Sequence, residues 1–158
     1  MKAWNFNVQS DPNEISRKLD SSLGRTNRFV FKIDSNKKDL VKFKLRKRML
    51  LAFEINSQNN LIVNGKIYKE NSENNTSVDI SFKLHPLSKL LLYGHIFLGV
   101  GLLAGMVLEY NNNSYIFIVG GILLATGVLV GLHLQKEFNK QVQEYKALFS
   151  KILELPAA

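Results

Sequence analysis

The chain has 158 residues, 46% of them hydrophobic, with 21 Lys and Arg against 13 Asp and Glu and no cysteine. The missing thiols exclude disulfides, thiolate nucleophiles and thiolate metal sites. A net charge of +8 suggests nucleic acid for a soluble protein, but beside a membrane an anionic lipid surface is the more economical counterpart, and no nucleic-acid partner is expected.

Trp4, Phe6 and Val8 alternate with polar residues, which predicts a strand rather than a secretory leader. Ser10 or Asp11 can cap a helix that has Pro12 at its first position and Glu14 in its first turn. Ile15, Leu19 and Leu23 follow at four-residue spacing, and Gly24 stops it. Further alternation places Phe29, Phe31 and Ile33 on one face of a second strand, then Val41, Phe43 and Leu45, then Leu61, Val63 and Ile67, then Val78, Ile80, Phe82 and Leu84. Their polar neighbours include Lys32, Lys42, Lys44, Arg46, Asn64, Lys66, Asp79, Ser81 and Lys83. Such a pattern predicts an antiparallel sheet with one covered and one wet face. Turns are expected at Asp34–Asp39, Asn56–Asn60 and Asn71–Thr76, where Asn, Ser and Lys replace apolar residues.

From Lys89 to Lys136 the only charge is Glu109. Leu90–Leu108 and Tyr115–Leu134 are each long enough to cross a hydrocarbon layer of ~30 Å at ~1.5 Å per residue. Tyr110-Asn111-Asn112-Asn113-Ser114 is too short for anything but a tight turn, so the two spans form a hairpin. Residues 1–86 carry 16 Lys and Arg against 9 Asp and Glu, while the turn carries none. The predicted topology is a multi-pass protein of the inner membrane with both termini in the cytoplasm and Asn112 outside. Beyond the hairpin, Phe138, Val142, Tyr145, Phe149 and Ile152 form an apolar stripe on a helix that continues the second span and stops before Pro156. The fold class expected is therefore α+β: a one-sided, mostly antiparallel sheet in the order β-α-β-β-β-β, with the hairpin inserted before a long amphipathic helix. Residues 1–86 and 135–155 make the cytoplasmic domain and residues 87–134 the hairpin.

The run Asn64-Gly65-Lys66-Ile67, a polar turn, and Val78-Asp79-Ile80-Ser81-Phe82-Lys83-Leu84-His85-Pro86 directly before a hairpin resembles a widespread group of bacterial membrane proteins with two transmembrane helices and a cytoplasmic β-rich domain. The resemblance spans roughly residues 40–150, with Met49–Asn60 departing from the group's pattern. It implies architecture only, since the group has no established activity to carry over.

Candidate residues are few. Lys42, Lys44, Arg46, Lys47 and Arg48, followed by Met49-Leu50-Leu51-Ala52-Phe53, suit a membrane-surface element, with cations on phosphate and apolar groups in the interface. The plainer explanation is an edge strand whose cations block unwanted pairing, and it is the one the run favours. His95 lies inside the first span, where an ionisable residue is a functional candidate. Two imidazoles without a convergent carboxylate make a poor metal site, so His95 is read as a packing residue hydrogen-bonded to Thr126, and no metal or cofactor is expected. Gly101 and Gly105, like Gly127 and Gly131, have the spacing that lets helices approach. Folding about Asn112 sets Gly105 near Gly120 and Gly94 near Gly131, and any glycine left outside favours self-association.

There is no phosphate loop, nucleophile elbow or His-Glu-x-x-His. The expectation is a non-enzymatic membrane protein with a cytoplasmic binding or assembly module. Its partners are the anionic lipids of the inner leaflet, together with a protein partner or a second copy. A helix-grip cavity holding a lipid-like ligand between sheet and terminal helix is the first alternative. An oligomeric channel or effector is the second, disfavoured because the spans are nearly devoid of the polar groups that line a water-filled pore.

Overall fold

A computed structural model describes residues 1–27, 29–37, 40–48, 61–69, 75–109 and 114–155. The expected turn at Asn56–Asn60, the first four residues of the one expected at Asn71–Thr76, the apolar run Met49–Phe53, the hairpin turn with Asn112, and Pro156 lie outside these residues, and Thr76 itself already belongs to a strand. The chain divides into two compact units, Met1–His85 with Asn139–Ala158 and Pro86–Phe138. The class is α+β, as the alternating patterns predict.

The first unit is built on five strands, β1 (Lys2–Val8), β2 (Phe29–Lys37), β3 (Leu40–Lys47), β4 (Leu61–Lys69) and β5 (Thr76–Leu84), with α1 (Pro12–Leu19) between the first two. They form one open sheet in the order β1-β5-β4-β3-β2, antiparallel throughout. Only residues 38–39 separate β2 from β3, so the strands run further into the expected Asp34–Asp39 turn than composition suggested. A register shift between Asp34 and Lys37 absorbs the irregularity.

Period-two alternation fixes which face is covered. Val41, Phe43 and Leu45, Leu61, Val63 and Ile67, and Val78, Ile80 and Phe82 are all buried. Gly65 lies opposite Phe43 in the register. The Phe43 ring occupies the space that a Gly65 side chain would need, so glycine here is a packing requirement. Phe43 also meets Phe31 and Phe149, each at a ring-centroid separation of 5.8 Å.

Two helical segments cover this face. Asp11 caps α1 by accepting from the Asn13 N–H, Pro12 takes the first position, and the Ser10 hydroxyl donates to Glu14. Ile15, Leu19 and Leu23 are buried as the spacing requires. The helix does not run evenly to Gly24, however. Asp20–Gly24 opens into a π turn, and the Ser21 and Thr26 hydroxyls donate to the Lys18 and Ser22 carbonyls, local bonds that compete with regular helix pairing. The second cover is the end of α3 (Ser114–Ile152). Val142, Tyr145 and Phe149 are buried, joined by Leu153, while Ile152 is half-buried. Tyr145 stacks at 6.2 Å from Phe29, and the Lys146 ammonium stands 5.5 Å over the Trp4 ring. Burial pushes the Tyr145 phenol well above its ordinary range, and the neighbouring Glu144 carboxylate adds to the rise.

The second unit holds α2 (Pro86–Glu109) and the first part of α3. These helices run antiparallel in close contact. A Cβ placed on Gly99 would come within 2.7 Å of Leu124, one on Gly120 within 3.0 Å of Leu103, one on Gly127 within 3.3 Å of His95 and Ile96, and one on Gly131 within 3.2 Å of Leu92. Gly120, Gly127 and Gly131 therefore sit at the helix contact, but the expected pairs Gly105 with Gly120 and Gly94 with Gly131 do not form. The residue of α2 facing each of these glycines is displaced by two from the expected pairing, and two residues turn a helix by about 200°. That rotation brings Gly99 inward and carries Gly94, Gly101 and Gly105 outward, where an added Cβ would meet nothing within 4 Å.

Candidate interaction surface on the sheet

The outer face of the sheet carries a cluster of the first unit's cations. Lys42, Lys44 and Arg46 are exposed between the buried Val41, Phe43 and Leu45. Strand β3 is not an edge, since it pairs with β2 on one side and β4 on the other. The cations therefore cannot be explained as guards against edge pairing, which corrects the plainer reading of the sequence. Lys47 shares the phase of the buried residues and lies opposite Phe29, so it stands on the other face, half-buried at the strand end. Arg48 follows the strand and is exposed.

Register assembles the outer residues into rows that no single strand reveals. One row runs Asn5, Asp79, Lys66, Lys42, Asp34. Its two carboxylates balance its two ammoniums. The next runs Ala3, Ser81, Asn64, Lys44, Lys32, and the one beyond it Lys83, Ile62, Arg46, Val30. These two rows contain four cations and no acid. Lys32 directly faces Lys44, and Lys42 directly faces Lys66. Like charges in such cross-strand positions weaken a sheet by some tenths of a kcal/mol each, up to about 1. The arrangement works against folding and suits an anionic counterpart.

The positive field is also felt at the end of β5. His85, immediately after the strand, has its pKa lowered by partial burial and then by the charges of Arg46 and Lys44. Lys32, Lys66 and Lys83 were visible in the sequence as polar-face residues, but their membership of one surface with Arg46 depended on strand pairing. The signal that can find them is the phase of each strand combined with an assumed register.

The remaining candidates fall in the second unit. His95 Nδ1 lies 2.7 Å from the Leu91 carbonyl, which can only accept, so Nδ1 carries the proton. Thr126 donates to the Ile122 and Leu123 carbonyls at 2.8 and 3.0 Å. Each satisfies itself on its own helix, in place of the expected bond between them. The Ser88 hydroxyl is buried and has no hydrogen-bond partner among the described residues.

No family model, curated protein or solved structure matches the chain.

Proposed function

We propose that the protein is a multi-pass inner-membrane protein, anchored by α2 and the first part of α3, whose α+β unit is a cytoplasmic binding module rather than a catalyst. The observation carrying this reading is the inverted burial of the apolar segments. Among the described residues, two helices are long and apolar enough to cross a membrane, and only 11% of each apolar window is buried. A core helix of a water-soluble protein would hide such residues; here Phe97 is 79% exposed, Tyr115 79% and Leu129 65%. Lipid accepts that surface, and water does not. The charge distribution in the sequence supports cytoplasmic termini.

Within the module, Phe149 fills the space between α3 and the sheet against Phe43. This supports a packed support for a surface rather than a ligand-holding grip. The surface it supports is the cationic outer face. Topology is tested with single cysteines in this cysteine-free chain: Asn112→Cys reacts with an impermeant thiol reagent on intact cells, and Asn36→Cys does not. Reversed labelling overturns the orientation and the cytoplasmic assignment.

A further inference from the structure

The outer face is polarised along the strands. Its balanced row, with Asp79 and Asp34 flanking Lys66 and Lys42, lies toward the start of β5; its acid-free rows, with Lys44, Lys32, Arg46 and Lys83, lie toward the end. The end of β5 is also where the chain enters α2. Strand β5 stops at Leu84 and α2 starts at Pro86, leaving His85 alone as linker. A single residue spans less than 4 Å. On the membrane reading given above, on which this inference rests, the unit that carries the acid-free rows is joined in the chain to α2 through that one residue. The balanced end is farther along the strands by about 3.3 Å per residue.

We propose that this end of the outer face, centred on Arg46 and Lys83 with Lys44 and Lys32 behind them, binds the phosphates of anionic lipids in the protein's own bilayer. Two features point to that occupant. The cations are gathered without carboxylates in two adjacent rows, as a polyanionic counterpart requires. Their mutual repulsion, strongest where Lys32 faces Lys44, is relieved by an anionic surface and by nothing in the register. Ile62 sits between Lys83 and Arg46 in the outermost row, giving the contact an apolar centre suited to the interface. The module thereby senses the anionic lipid content of its membrane: its outer face is engaged in an anionic leaflet and released in a neutral one.

The test uses the full chain in nanodiscs of phosphatidylcholine alone or mixed with phosphatidylglycerol, each containing a headgroup-quencher lipid. An environment-sensitive fluorophore is placed on Ile62→Cys and, separately, on Asn7→Cys at the balanced end. Quenching at position 62 is expected only in the anionic discs, is lost in high salt as screening predicts, and is absent at position 7 in both. The double substitution Arg46→Gln and Lys83→Gln lowers the docked-to-free ratio about thirtyfold, at about fivefold per cation. Its far-UV spectrum and melting stay unchanged, because both side chains are exposed. Equal quenching at position 62 in neutral and anionic discs overturns the proposal, as does no quenching in either. A chain that fails to co-purify with the discs at all instead overturns the membrane reading beneath it, so the two failures are distinguishable.

Discussion

The two halves of α3 belong to one unbroken helix and bury opposite kinds of residue. In the second half Val142 and Phe149 are 1% and 0% exposed, and the wet positions include Lys140, Gln143, Glu144 and Lys151. In the first half many large apolar residues are outside, with Phe117 at 60%, Val128 at 58% and Leu132 at 63%, although Leu134 is buried, while Gly120 and Gly127 are buried against α2. The backbone is the same; on the membrane reading proposed above, the solvent is not. In water, apolar area is driven inward at roughly 25 cal/mol per Å². In lipid that drive between helices vanishes, and contact is won by small residues that let backbones approach. On that reading, a single helix with both habits passes from one solvent to the other.

The sharpest way to break this comparison is to truncate one apolar residue in each half. Phe149→Ala empties a fully buried ring site against Phe43 and is expected to cost about 3–5 kcal/mol. Leu129→Ala removes a side chain that is 65% exposed within the chain and should stay within about 0.5 kcal/mol. Limited proteolysis of the α+β unit and denaturant titration of the reconstituted protein read both. Equal losses would show that Leu129 is packed against protein, and the lipid-facing assignment of that surface would fall.

A smaller contrast lies within the first half's partner helix. Gly99→Leu drives a side chain into Leu124, whereas Gly101→Leu points into open space. Overpacking at the first is expected to cost about 1–3 kcal/mol, and the second should match the wild type or exceed it, since leucine favours helix over glycine. Unfolding in mixed micelles by titrated dodecyl sulfate measures the difference. If Gly101→Leu is the more damaging, the register follows the simple fold about Asn112 and the outward rotation of Gly94, Gly101 and Gly105 is wrong.

The contrast between these glycines also shows what the sequence can and cannot convey. Strand phase was legible because Val41, Phe43 and Leu45 alternate with cations whatever their neighbours, and the stripe Val142, Tyr145, Phe149 was legible for the same local reason. The class and the antiparallel sheet follow from such patterns. Pairing is not local. Nothing within Lys42–Arg48 says that β2 and β4 flank it, so an edge position was the natural expectation, and the acid-free rows remained scattered over separate strands. Helix register failed in the same way: a two-residue displacement leaves hydrophobicity untouched while turning α2 by about 200°. The Asp20–Gly24 π turn was hidden too, because the spacing of Leu19 and Leu23 fits a regular helix equally well.

The central claim is that α3 passes from lipid into water along its length, and cysteine chemistry tests it directly. N-ethylmaleimide crosses bilayers but reacts with the thiolate, which needs hydration to form. Single variants Leu129→Cys and Glu144→Cys are compared in intact membranes, with neither dependent on orientation. The account predicts rapid reaction at position 144 and reaction at position 129 only after the bilayer is dissolved in denaturing detergent. Comparable rates at the two positions in intact membranes would contradict it, placing the whole of α3 in water.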